Sequence, residues 1–370
     1  MNYVIVVVGF NKSESISRLF SSLQSLNGIE DVDIVVSLDG GATEEVVNLS
    51  KDFSDQQKNC KVLQRDVNLG LKKHMLECFK IGLNYDVLIL LEDDLWISEF
   101  ALNYIDYVIN KEDLINSVAG FSLYSHLFNE TAYLPFSPIH DGSDCYYMRI
   151  PSSWGLFMTN PQVNDFLSFI KNDNCDVGLP PNVDRWSSQS WKKELFKLLI
   201  SKNKYFLYPR IGLTTNFADA GSHHKGSDLF QVPIQVDSKD YSINQLKDSL
   251  AVYDEYCELL PDKIKKLNKK LSSFDFVVDL YGFKSLSGAV ADDEYVISPY
   301  YCKKAIYSWS GSFKPCDYNI AADLLGDKYY LSKGLKMGRV KKILNRLVLV
   351  KRHHNIDFDF SFLSRFLGRV

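Results

Sequence analysis

Residues 87–95 read Val87-Leu88-Ile89-Leu90-Leu91-Glu92-Asp93-Asp94-Leu95. An unbroken apolar run that breaks off into adjacent carboxylates describes a strand buried on both faces and ending at a charged turn. Such runs belong to parallel strands covered by helices, because a strand with one wet face alternates. Upstream, Tyr3–Gly9 (YVIVVVG) is a second β-branched run, and Asp33–Leu38 (DIVVSL) a third, closed by Asp39-Gly40-Gly41. Lys61–Gln64 supplies a shorter strand. Between them, Ile16, Leu19, Phe20, Leu23 and Leu26 recur at helical spacing after an expected cap at Asn11-Lys12-Ser13. Leu71, Met75, Cys78, Phe79 and Gly82 mark another helix. Alternating buried strands and amphipathic helices predict a doubly wound α/β sheet, whose ligands bind beyond the carboxyl ends of the strands. Those ends carry Gly9–Lys12, Asp39 and Glu92–Asp94.

Carboxylates this close repel one another and raise each other's pKa unless a cation sits among them. A hard divalent ion that keeps positions open for phosphate oxygens answers that need. Read alone, the triplet also fits a solvated turn or a helix N-terminus; its place behind a buried fourth strand favours the cation.

The 370 residues are 46% hydrophobic and 24% charged, enough for one or two ordinary cores and too apolar for a disordered chain. Lys and Arg total 42 against 46 acids, so no overall basic footprint for nucleic acid exists. The seven cysteines lack a CxxC pair, which fits a reducing compartment better than a disulfide framework or a zinc site. Met1-Asn2-Tyr3 leads into an apolar strand and reads as its entry, not as a secretory leader. No apolar run reaches the length of a membrane span. There is no Walker loop, GxGxxG or GxSxG.

Gly9-Phe10-Asn11-Lys12, Asp39 after the second strand and Leu91-Glu92-Asp93-Asp94-Leu95 after the fourth resemble GT-A nucleotide-sugar glycosyltransferases. Their order is most similar to the N-acetylglucosaminyltransferase I family and the bacterial family-two enzymes, over roughly residues 3–230. The resemblance implies a GT-A, Rossmann-like sheet with helices on both faces. It implies Asp94 as the ligand of Mn²⁺ or Mg²⁺, with Glu92 and Asp93 on the ribose, the sugar or the metal's water shell. Asp39 and Gly9, Phe10, Asn11 and Lys12 would hold the nucleoside, and Lys73, or its neighbour Lys72, the diphosphate. Ser152-Ser153-Trp154-Gly155-Leu156 resembles the segment shaping the sugar pocket, with serines where the family has glycine. Val183-Asp184-Arg185-Trp186 resembles the Trp-Asp-Asp-Trp segment, making Asp184 the general base, although Val183 and Arg185 depart from that pattern. Arg210 and the Gly221–Gly226 loop with His223 and His224 resemble the segment that orders over the donor.

Beyond Leu123 the pattern loosens. The expected organisation is a catalytic domain over 1–235, with a nucleotide half (1–123) and an acceptor half (124–235). Residues 187–201 read as helix within the acceptor half, and a mainly helical region over 236–370 follows, in which 240–272 reads as helix and Phe274–Leu280 as a strand. Residues 331–354 hold eight Lys or Arg and no acid, interleaved with Leu335, Met337, Val340, Ile343 and Leu344. This basic amphipathic segment suits either an anionic membrane surface or packing on the catalytic domain. The expected function is an inverting, metal-dependent transfer from a nucleotide-diphosphate sugar, UDP first, to a glycan or glycolipid hydroxyl, as in bacterial surface polysaccharide synthesis. The expected location is cytoplasmic, with the basic segment offering contact to the inner face of a membrane. A sugar nucleotidyltransferase is the alternative enzyme, disfavoured by a glycine-poor first loop; a non-catalytic nucleotide- or glycan-binding protein is the other alternative.

Overall fold

The computed structural model describes residues 1–172, 175–219, 228–287, 290–291, 293–333 and 344. The chain divides into two compact units, one of Met1–Leu127 and His140–Cys257, the other of Phe128–Ile139 and Glu258 onward.

In the first unit the chain runs through β1 (Tyr3–Gly9), α1 (Ser13–Gln24), β2 (Asp33–Leu38), α2 (Glu44–Gln56), β3 (Cys60–Gln64), α3 (Leu71–Gly82), β4 (Val87–Glu92), β5 (Leu95–Ile97), α4 (Ala101–Ile109), α5 (Glu112–Ser117) and β6 (Gly120–Ser122). The second unit takes the short hairpin β7 (Phe128–Asn129) and β8 (Leu134–Pro135). The first unit resumes with β9 (Cys145–Met148), β10 (Leu156–Thr159), α6 (Asn160–Asn172), α7 (Pro181–Asp184), α8 (Trp191–Ser201), β11 (Phe206–Pro209), β12 (Thr214–Asn216) and β13 (Val252–Tyr253). Its sheet has the order β13-β9-β11-β6-β10-β4-β1-β2-β3. β3, β2, β1 and β4 are mutually parallel, whereas β10 joins β4 antiparallel. Right-handed crossovers carry α1 and α2 to one face, and the return from β3 to β4 carries α3 to the other. Both faces of β1 and β4 are therefore covered, and Val4–Val7 and Leu88–Leu91 are almost wholly buried.

The stripe read from the sequence is the buried face of α1, and Phe20 stacks on Phe53 of α2 at 4.2 Å. The cap expected at Asn11-Lys12-Ser13 is not formed by a side chain. Lys12 holds the N-cap position with no side-chain bond to the helix, and its ammonium is spent elsewhere. The helix expected over 187–201 begins at Trp191, where Ser190 Oγ accepts from Lys193 N.

Two expectations beyond residue 235 are corrected. The boundary near 235 falls inside the first unit, because Gln235 N donates to Gly212 O and Ser98 Oγ donates to Gln235 O. The continuous helix over 240–272 is absent, leaving only α9 (Pro261–Leu267) and a 3-10 turn at Lys269–Leu271. Asp141 explains this in part: Oδ2 accepts from Ser249 Oγ, Leu250 N and Ala251 N, drawing those backbone donors away from a helix and delivering β13 to the sheet edge beside β9. Likewise the C-terminal region is not mainly helical among the described residues. It holds a sheet of order β14-β15-β17-β16, made of β14 (Phe276–Val278), β15 (Tyr295–Ser298), β16 (Tyr307–Trp309) and β17 (Tyr329–Lys333). Its named helices after α9, among the described residues, are the short α10 (Phe283–Ser287) and α11 (Asp317–Ala321). The segment 331–354 begins within β17; apart from residue 344, the remainder lies outside the described residues. No helix among the described residues is long and apolar enough to cross a membrane.

Candidate functional site

Register builds the site. β1 pairs with β4 so that Val8 faces Glu92, and with β2 so that Gly9 faces Leu38. The loop leaving β1, the turn leaving β4 and Asp39 therefore meet at one end of the sheet. The turn Glu92-Asp93-Asp94 is pinned beyond its own strand by β5, which pairs antiparallel with β12, Leu95 opposite Asn216. Phe217 N donates to the Asp94 carbonyl at 3.0 Å, and Asn216 Nδ2 donates to Asp94 Oδ1 at 3.1 Å. The other oxygen, Asp94 Oδ2, accepts from Lys12 Nζ at 3.4 Å; the same ammonium is 3.8 Å from Asp93 Oδ1.

Burial, reinforced by the charges of Asp94 and Asp93, pushes Glu92 up to about 8; Lys192 and Lys12 pull it the other way. Burial raises Asp93 to about 7, opposed by Lys12 and assisted by Asp94 and Asp219. Desolvation disfavours the Lys12 ammonium, but the combined attraction of the three carboxylates outweighs it and raises its pKa. For both carboxyls burial is the leading cause, and Lys12 opposes it in each.

No group of three or more His, Cys, Asp or Glu among the described residues is arranged to hold a metal ion by itself. Mg²⁺ and Mn²⁺ can be bound through one or two carboxylates and completed by substrate phosphates. The hard oxygens of Asp94 and Asp93, both already within 4 Å of the Lys12 ammonium, suit such an ion.

Asp39 is 5% exposed, and its carboxylate organises the neighbouring backbone. Oδ1 accepts from Gly40 N and Leu69 N at 2.9 Å, and Oδ2 from Gly70 N at 3.0 Å. The loop it holds passes so close that a Cβ on Gly40 would lie 2.0 Å from the Val67 carbonyl carbon, so only glycine fits there. A nucleoside contact by Asp39 would use the lone pairs these donors leave. Beneath it, His74 Nε2 and Ser37 Oγ are hydrogen-bonded at 2.9 Å, and burial lowers the His74 pKa. Of the lysines on α3, Lys72 is engaged by Glu194 at 2.7 Å and the Ser188 carbonyl at 3.1 Å, whereas Lys73 is exposed and forms no ion pair among the described residues.

Trp154 packs edge-on to Tyr124 at 4.8 Å and against Phe230 at 4.7 Å. Its carbonyl accepts from Thr214 Oγ1 at 2.6 Å, tying it to β12. Gly155 makes this approach possible: its φ is +86°, and a Cβ there would lie 2.8 Å from the Thr214 side chain. Lys192 Nζ lies 5.0 Å from the Trp154 ring and 5.5 Å from that of Trp186, at the distances of a cation–π contact. It is also close enough to Glu92 to lower that carboxyl's pKa. Asp184, the last residue of α7, therefore lies two residues from a ring that shares Lys192 with the acidic turn. Its carboxylate is exposed and accepts no hydrogen bond among the described residues; Lys193 Nζ instead donates to its carbonyl at 2.6 Å.

Arg210 is placed otherwise than expected. Its guanidinium is committed to Asp141 at 3.0 Å and to the Ser143 carbonyl at 2.6 Å, with side-chain exposures of 11% and 2% for the ion pair. A buried aspartate claims it, leaving it a structural part of the sheet edge. His223 and His224 lie outside the described residues.

Sequence reasoning missed Lys192, Asn216, Asp219 and Arg18. Asp219 Oδ2 accepts from Ser15 Oγ at 2.6 Å and pairs with Arg18, whose guanidinium lies 3.9 Å over the Phe217 ring. The run Thr214-Thr215-Asn216-Phe217-Ala218-Asp219 places one polar residue at the end of a strand and another three positions on, a signal of the kind that drew attention to Glu92.

Residues 4–126 match the model of Glycosyl transferase family 2. That stretch, a third of the chain, is similar to a family 2 domain and contributes β1–β4 and β6 to the mixed sheet. A comparison with curated proteins found no match. Among solved structures, S. aureus TarS 1-349 in complex with UDP-GlcNAc is similar at 15% identity, over 60% of this chain and 60% of that one, with a TM-score of 0.41. Mannosyltransferase PcManGT from Pyrobaculum calidifontis, in complex with GDP-Man and Mn²⁺, is similar at 9% identity, over 49% of this chain and 50% of that one, with a TM-score of 0.35. The chain spans 60% and 50% of the lengths of these two structures.

Proposed function

From the match of residues 4–126 to the Glycosyl transferase family 2 model, we propose that this protein is an inverting glycosyltransferase. It moves a sugar from a nucleotide-diphosphate donor, UDP-linked in the first instance, to a hydroxyl of a glycan or glycolipid. The observation that carries this reading is the acidic turn at the carboxyl end of β4, set by strand register beside the β1 loop and Asp39. Asp94, oriented by Asn216, and Asp93 would hold Mn²⁺ or Mg²⁺. When bound, the ion supplies Lewis-acid stabilisation of the charge on the leaving diphosphate. Gly9–Lys12 and the Asp39-braced loop bear on the nucleoside, Lys73 is available to phosphate, and Trp154 walls the sugar.

The chain's own residues then handle the acceptor. Its hydroxyl attacks the anomeric carbon from the face opposite the diphosphate, the carbon–phosphate oxygen bond breaks, and the electron pair leaves with the diphosphate. The hydroxyl proton passes to the Asp184 carboxylate. An exposed carboxylate that accepts no hydrogen bond among the described residues suits a base that an acceptor must reach, and such a base is typically worth about 10²–10⁴ in rate. The test is release of nucleoside diphosphate from a panel of UDP- and GDP-sugars with glycan acceptors. Asp184→Asn is expected to lower kcat by about 10²–10⁴ with little change in donor affinity; unchanged turnover in that variant removes Asp184 from the mechanism. Contact of the 331–354 segment with an anionic membrane would bring the enzyme to a lipid-linked acceptor.

A further inference from the structure

Lys12 stands where the carboxylates of the acidic turn would meet an external cation. Its Nζ is 3.4 Å from Asp94 Oδ2 and 3.8 Å from Asp93 Oδ1. The backbone imposes this position, because pairing of Val8 with Glu92 runs the loop leaving β1 alongside the turn leaving β4. The opposite oxygen of Asp94 is taken by Asn216 Nδ2 at 3.1 Å. Oδ2 is thus the oxygen open to a cation, and Lys12 holds it. Lys12 also occupies the N-cap position of α1 without a capping bond from its side chain, so its release costs the helix no hydrogen bond. An ammonium and a divalent ion cannot both sit against one carboxylate oxygen without strong mutual repulsion.

We propose that Lys12 is an internal counter-cation of the empty donor site, exchanged for the divalent ion when the donor binds, with the released ammonium passing to the donor's diphosphate. This inference rests on the donor-site reading above. It makes Lys12 a positioning residue that couples two ligands. The ion alone must displace an ammonium with nowhere to go, whereas the ion and diphosphate together give that ammonium a new partner. Metal and nucleotide therefore bind with positive cooperativity, and linkage requires each to raise the affinity of the other by the same factor.

The test is Mn²⁺ binding to the full chain, followed by loss of the free-ion EPR signal, with and without UDP, in the wild type, Lys12→Met and Lys192→Met. Lys192 is the control for charge alone: it acts on Glu92 through space but forms no ion pair among the described residues. Lys12→Met is expected to bind Mn²⁺ without nucleotide roughly tenfold more tightly than wild type, a size usual for coupled sites. The gain in Mn²⁺ affinity from UDP should shrink by a similar factor, and Lys192→Met should change Mn²⁺ affinity much less. Lys12→Gln carries the same comparison if the methionine variant does not fold. Wild-type Mn²⁺ binding with no tightening in the Lys12 variants overturns the exchange alone, as does equal tightening in Lys192→Met. No Mn²⁺ binding in any chain, even with UDP, overturns the donor-site reading and the exchange together.

Discussion

Replacing Asp39 by alanine separates architecture from ligand contact. The carboxylate holds three backbone N–H groups at 2.9–3.0 Å, one fully buried at Gly40 and two part-buried at Leu69 and Gly70. A buried hydrogen bond to a charged acceptor is worth about 1.5–3 kcal/mol, and each part-buried bond, where water can substitute, about 1 kcal/mol. Asp39→Ala should therefore destabilise the first unit by about 4 kcal/mol. For a domain of this size that corresponds to a fall in Tm of roughly 8–16 °C. Thermal unfolding followed by tryptophan fluorescence measures the fall, and UDP titration on the same samples, below the transition, measures what remains of the site. A variant that melts within a degree of the wild type but no longer binds nucleotide refutes the reasoning. In that case the carboxylate serves the ligand and the loop holds itself.

Two further outcomes follow from the geometry. Arg210→Ala leaves Asp141 as a buried charge without its guanidinium, although Ser249, Leu250 and Ala251 still donate to it. The expected loss is about 3 kcal/mol in denaturant unfolding, with donor affinity unchanged; a selective loss of sugar affinity would return Arg210 to the sugar pocket. His74 is buried against Ser37 with its pKa lowered by desolvation, so the native state resists a proton that the unfolded chain accepts below about pH 6.5. Its contribution to stability is present above that pH and is lost as pH falls below it. The drop in unfolding free energy between about pH 7 and pH 5.5 should be smaller in His74→Asn, and an equal drop in both proteins contradicts the assignment.

What the sequence made legible was local. Strands β1, β2 and β4 are written as apolar runs because both their faces are covered, and the stripe on α1 survives because one face meets the sheet. The acidic turn was visible because its charges are contiguous. What stayed hidden was set by partners far along the chain. Lys12 meets Asp94 across 82 positions, and Asn216 meets Asp94 across 122. Arg210 looked available until Asp141 claimed it, 69 positions upstream. Lysine and leucine spacing over 240–272 imitated a helix because periodicity says nothing of a remote carboxylate competing for backbone donors. Strands of two to four residues, such as β13, β15 and β16, are too short to show a period, although the strand read over Phe274–Leu280 does contain β14.

The measurement nearest the central claim is a calorimetric titration of UDP into the wild type and Asp94→Ala, each with and without Mn²⁺. UDP binding that requires both the ion and Asp94 is the predicted result. Binding that is indifferent to Asp94, or no nucleotide binding under any metal condition, contradicts a donor site at the acidic turn.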